Sequence, residues 1–135
     1  MAKPQRITFL KVNLKDQPGS LLAVLKDLKA KNIGLKSLWG FGKNDGSSDV
    51  YAIPKDVEKL KTVWKASGMQ VGEGTGFFFK GTDTTGVLLK DLEALAQANV
   101  NMTAILAIAV SGKFGSLIWV NEADVEKAAQ ALGAK

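Results

Sequence analysis

The sequence predicts an α+β protein: two tandem ferredoxin-like βαββαβ repeats, each an antiparallel sheet with helices on one face. Three observations carry this reading. At a spacing of 67, Asp16 meets Asp83, Gly19 meets Gly86, and Leu21 and Leu22 meet Leu88 and Leu89. Leu25, Leu28 and Asn32 then meet Leu92, Leu95 and Asn99 without a gap, a self-similarity that marks a duplication. Both halves also share one order of period-two and helical-period segments, and turn residues separate those segments at matching places.

The elements follow in order. "RITFLKVNL" alternates with Leu10, Val12 and Leu14 on one face, and "GFFFKG" is its shorter counterpart. Leu21, Leu25 and Leu28 form one stripe of a helix, which Leu88, Leu92 and Leu95 repeat. A strand follows, "IGLKSLWGF" or "VNMTAILAIAV", then a turn, "GKNDGSS" or "SGKFG", and a strand, "DVYAI" or "SLIWV". Loops of equal length bring Val50–Ile53 onto Leu117–Val120, and one inserted residue then superposes the literal "DVEK" at 56–59 and 124–127. That tetrapeptide opens a second helix, with Val57, Leu60 and Trp64, or Val125, Ala128, Ala129 and Leu132, facing inward. "GMQVGEG" supplies a fourth strand to the first half.

The first repeat is therefore placed at 1–74 and the second at 75–135. The second is expected to lack its last strand, leaving the strand at 76–80 as an exposed edge. On the face away from the helices, alternation places Ile105, Ala107, Phe78 and Leu38. An apolar patch of that kind is usually covered, so a homodimer or higher oligomer is expected.

Composition narrows the function. With 46% hydrophobic and 23% charged residues, the 135-residue chain has the makings of a core. It has no cysteine, hence no disulfide or thiolate metal site, and no histidine, the commonest general base and metal ligand. No paired carboxylates stand at a recognisable spacing, and Ser20, Ser37 and Ser116 have no visible activating base, so an enzyme is not expected. No cofactor or metal is expected either. The formal charge of +5 is spread through segments such as "LKDLKAKN" and "DVEKLKTVWK", which read as solvated helix faces. "MAKPQRITFL" has no signal-peptide core and no segment has the length of a membrane span, so a soluble, cytoplasmic protein without a membrane partner is expected.

The turn "KDQPGS" at 15–20 is the most specific local signal. Asp16 is expected as helix N-cap, Pro18 presets φ near the first turn, and Gly19 permits close approach of a ligand. Such a helix start offers backbone N–H groups to a carboxylate. "DQPGSLLAVLKDLKAKNIGL" resembles the signature of the ACT domain, and "DTTGVLLKDLEALAQANVNM" looks like a diverged second copy.

The resemblance implies a regulatory module that binds an amino acid between paired copies and acts on an enzyme partner. Ligand contacts would come from Asp16, Gln17, Pro18, Gly19, Ser20 and Leu21, with Asn101 supplied by the facing copy. The first copy has Gly34 where the pattern has Asn, and the second has Thr85–Gly86 in place of Pro-Gly. A second, diverged site would therefore comprise Asp83, Thr84, Thr85, Gly86 and Gly34. Two outcomes stay open: one composite site, or a ligand-free oligomerisation module.

Nucleic-acid binding is the rival reading, since RNA-recognition domains share this element order and stack bases on strand aromatics. "KFGSLIWV" and Phe78 offer such aromatics, but the glycine and aromatic spacing differs, and the first copy has "SSDVYAIP". "GFGKNDG" precedes a strand rather than a helix, and "GEGTG" reads as a hinge, so neither is a phosphate loop.

Overall fold

The structure, a computed structural model, describes residues 4–134. The chain runs β1 (Gln5–Lys15), α1 (Ser20–Ala30), β2 (Leu35–Gly42), β3 (Ser47–Pro54), α2 (Val57–Ala66), β4 (Gly72–Thr82), α3 (Leu89–Gln97), β5 (Met102–Val110), β6 (Lys113–Val120) and α4 (Val125–Leu132). This is the α+β repeat order expected. Among the described residues, no helix is long and apolar enough to cross a membrane.

The glycine-rich segment at the repeat junction is strand, not a loop. "GEGTG" and the phenylalanines that follow it form the single eleven-residue strand β4. Gly74 is required there because a Cβ would collide with the Phe9 ring.

Contacts divide the chain into two compact units, and the division cuts through strands. One unit is Thr8–Gly74, called here the first-repeat unit. The other, the second-repeat unit, joins residues 4–7 with residues 75–134. β1 and β4 each contribute to both.

In the first-repeat unit the strands lie in the order β2-β3-β1-β4. Leu10, Val12, Val50 and Ala52 point to the helices and pack with Leu28, Leu60 and Trp64. Leu10 and Leu60 are fully buried, and each such side chain contributes roughly 1.5–3 kcal/mol of transfer free energy. In α1, Val24 joins Leu25 and Leu28 against the core, while Leu21 remains 38% exposed. On the other face, the Trp39 and Tyr51 rings stack 5.3 Å apart, and Phe9 lies 5.9 Å from Tyr51.

In the second-repeat unit the order is β1-β4-β6-β5. Phe77, Phe79 and Ile118 are fully buried against Leu95, Ala128, Ala129 and Leu132. The position of a fourth strand is filled by the first residues of β1, where Ile7 reaches Gly76, and Arg6 binds Glu126 of α4 at 2.8 Å. The expected open edge at 76–80 is thus corrected: β4 has β6 on one side and β1 on the other.

Pairing registers revise three further expectations. A bulge interrupts β2 between Leu35 and Ser37, and a second interrupts β5 between Met102 and Ala104. Each bulge reverses the parity of the rest of its strand. Leu38 therefore pairs with core-facing Ala52, and Ile105 with core-facing Ile118, so both lie on the helix side. Ala107, paired with Ser116, goes with them. The helix-free face instead carries Trp39 and Phe41 in one unit and Leu106, Ile108 and Val110 in the other. Of the residues expected there, Phe78 remains, paired with Leu117.

The hairpins also differ in length. Asn44, Asp45 and Gly46 close the first, while Ser111 and Gly112 close the second with φ of 52° and 77°, the signature of a two-residue type I′ turn. Ser48 pairs with Leu14, and the corresponding partner of Gly81 is Phe114, so the repeat spacing falls by one across β6. Two residues, not one, are then added around the 3₁₀ turn Glu122–Asp124 before the second "DVEK" helix.

Candidate functional site

The first strand-to-helix turn is pinned to the β2–β3 hairpin. The Asp16 N–H donates to the Gly46 carbonyl at 2.9 Å, and the Ser48 hydroxyl donates to Asp16 Oδ1 at 3.0 Å. Asp16 is therefore not the helix cap expected from sequence, because its carboxylate is turned to β3. Gly19 is the N-cap, at φ 89°, and no side chain caps α1. That left-handed φ, rather than crowding, requires glycine, since a Cβ would meet nothing within 4 Å. Asp16, Gln17, Pro18, Gly19 and Leu21 are exposed and Ser20 is half-buried. The turn thus presents the start of a helix with no side-chain cap to solvent, an arrangement that attracts an anion.

The second turn repeats the framework with different side chains. The Asp83 N–H donates to the Gly112 carbonyl at 2.9 Å, matching the bond made by Asp16. Gly86 again has positive φ, 75°, and the Val87 N–H and the N–H of Leu89, the first residue of α3, bond to the Thr84 and Gly86 carbonyls. Thr85 lies in the same turn and is exposed. Phe114 stands where the first unit has Ser48, so the hydroxyl that ties down Asp16 is replaced by a ring. Beside this turn lies a cavity of about 720 Å³, lined by Lys80, Thr82, Thr84, Val87, Lys113 and Phe114. Phe114 and Val87 supply apolar wall, two hydroxyls supply donors and acceptors, and two ammonium groups favour a negative charge.

Asn101 is exposed and directly precedes β5. It belongs to the second-repeat unit, whereas Asp16–Leu21 belong to the first, so neither unit by itself assembles the composite set. Gly34 donates no side chain, and a Cβ there would come within 2.9 Å of Lys55 Cδ. The Gly34 carbonyl accepts the Lys55 N–H at 3.0 Å.

A polar cluster on β1 and β3 escaped the sequence reading. Asp49 is 5% exposed, accepts the Asn13 amide at 2.9 Å, and faces Lys11 and Lys43 at 3.4 and 3.7 Å. Its carboxyl is held below the ordinary range by the Asn13 hydrogen bond and the two ammonium groups, with burial working the other way. The signal was present: Lys11 and Asn13 alternate with the core residues Leu10, Val12 and Leu14.

No family model matches the chain, and no curated protein does. Solved structures do. A protein from Bacteroides thetaiotaomicron, BT0572, is 20% identical over 98% of this chain and 90% of its own, with a TM-score of 0.84. The ligand-free regulatory subunit of aspartate kinase from Thermus thermophilus is 17% identical, covering 96% of this chain and 91% of that one, with a TM-score of 0.59. The regulatory subunit from Thermus flavus is also 17% identical, covering 96% and 92%, with a TM-score of 0.58. At these identities the likeness establishes the fold.

Proposed function

We propose that the chain is a non-enzymatic regulatory module of the ACT type that senses a small metabolite, an amino acid by preference, at its strand-to-helix turns. The observation that carries the reading is the cavity beside Thr84 and Val87, at the diverged turn that the ACT resemblance implies as a second ligand site. Its ammonium groups suit a carboxylate and its Phe114–Val87 wall suits an aliphatic or aromatic side chain. The fold it shares with two aspartate kinase regulatory subunits supports the regulatory part, with an enzyme as the regulated partner. At the first turn, the N–H groups of Gly19 and Leu21 are the proposed carboxylate contacts, beside a Ser20 N–H that donates to the Gln17 carbonyl at 3.3 Å, and Asn101 of a facing copy completes the set. A homodimer is part of the proposal, favoured by Ile108 and Val110, 62% and 61% exposed on an edge strand.

A thermal-shift screen of the amino acids tests the reading. A ligand at about 100 times its Kd stabilises by roughly 2.7 kcal/mol. Asn101→Ala and Thr84→Ala then separate the turns, each lost hydrogen bond weakening binding by roughly 0.5–1.5 kcal/mol. Loss with Asn101→Ala alone assigns the composite site; loss with Thr84→Ala and Lys113→Ala assigns the second turn. No response to any amino acid, with a stable dimer by light scattering, leaves the oligomerisation module instead.

A further inference from the structure

Away from both turns, the first-repeat unit has a cavity of about 800 Å³, bounded by β1, the β2–β3 hairpin and the segment from Lys65 to Gly72. Its polar groups are unequally engaged. Both Asp49 oxygens are occupied, Oδ1 by the Asn13 amide and Oδ2 by the Lys11 and Lys43 ammonium groups. Asp45 Oδ1 accepts both the backbone N–H and the hydroxyl of Ser47. Lys11 and Lys43 each carry three N–H donors and remain 40% and 39% exposed, and Lys65 adds a third ammonium group to the lining. Three lysines outnumber the two carboxylates, Asp45 and Asp49, in the lining, and that net positive charge favours an anion.

Nor does the fold demand this polarity. At matching register positions in the second-repeat unit, Lys11 is replaced by Phe78, Asp49 by Gly115 and Lys43 by Val110. Burying a carboxylate costs desolvation energy that the second unit avoids with the same strand order. What Asp49 achieves is to gather two like-charged ammonium groups around one point.

We propose that this cavity binds the oxyanion group, carboxylate or phosphate, of a small metabolite. Lys11, Lys43 and Lys65 donate to it, Asp49 positions the first two, and Met69 and Val71 line the space for the remainder of the ligand. The site shares no residue with the turn sites, so it stands or falls separately from them.

The test is an NMR titration of the ¹⁵N-labelled full chain with inorganic phosphate and, separately, with succinate, at ionic strength held constant by chloride. Saturable shifts centred on the amides of Asn13, Ser47 and Asp49 are expected for at least one probe. Succinate alone identifies a carboxylate ligand and phosphate alone a phosphate ester. Lys43→Ala/Lys65→Ala should weaken the response by about tenfold or more, since charge-assisted donors are lost. Asp49 keeps Asn13 and Lys11 in that variant, so the fold is retained, as an unchanged amide spectrum elsewhere will verify. Lys90→Ala/Lys127→Ala, with the same net charge, should bind like the parent. The proposal is overturned if neither probe saturates at those amides. It is equally overturned if the two double variants weaken the response alike.

Discussion

Asp49 is nearly excluded from water, yet its carboxyl lies below the usual aspartate range because the Asn13 amide and then the Lys11 and Lys43 charges favour the ionised form. The linked stability has a definite sign. A folded-state pKa below the unfolded value stabilises above the ordinary aspartate pKa, about 3.9, and this is lost as pH falls through the folded value. Asp49→Asn keeps the size of the side chain but leaves Lys11 and Lys43 without their counter-charge. It should be less stable than the parent near neutral pH, and the deficit should close in acid as Asp49 itself protonates. Urea unfolding of both proteins from about pH 7 to about pH 2 measures this. A deficit that does not vary with pH would mean that the charge contributes nothing. Single residues were unevenly legible in the sequence. Gly19 announced its turn, because few residues other than glycine accept a φ of 89°. Asp16 looked like a cap but bonds to Ser48, a partner 32 positions away that no local pattern reveals.

Identical sequence segments provide the clearest case at the level of elements. "DVEK" opens both α2 and α4, but only the first copy caps its helix. Asp56 has extended backbone, φ −132° and ψ 102°, and its side chain accepts the Lys59 N–H at 3.1 Å. Asp124 ends a 3₁₀ turn with φ −100° and ψ 0°, and no side-chain cap forms. An N-cap carboxylate needs the extended conformation for its oxygen to reach back to the first-turn N–H groups. Asp56→Ala should therefore cost about 1 kcal/mol, and Asp124→Ala no more than about 0.5 kcal/mol, the usual scale of a surface change. Chemical unfolding of the two variants distinguishes them, and equal losses would refute the capping assignment. The same limit on local reading applies to the strands. Element type and order followed from periodicity, but one-residue bulges after Leu35 and Met102 exchanged the faces of Leu38, Ile105 and Ala107. A bulge leaves the apolar alternation of so short a run intact, and only the partner strand's register reveals it.

At the scale of the whole molecule, order along the chain and membership of a compact unit diverge at the N-terminus. Residues 4–7 precede the first-repeat unit in sequence but belong to the second-repeat unit. Gln5–Ile7 open β1, the strand beside β4 in the sheet. The Arg6–Glu126 ion pair is exposed and contributes little, so the main effect of these residues is backbone pairing along β4. A chain beginning at Thr8 should consequently harm the second-repeat unit, though the cut is made next to the first. Native-state hydrogen exchange reads this directly, because local opening free energies are resolved amide by amide. Amides of Gly76–Phe79 in β4 and Leu117–Trp119 in β6 should lose protection by about tenfold or more, roughly 1.4 kcal/mol of opening free energy. Those of Val50 and Ala52, paired with Val12 and Leu10 in the first-repeat unit, should change far less. The reverse pattern, with protection lost at Val50 and Ala52 and kept at Phe77, would return these residues to the unit they adjoin in sequence.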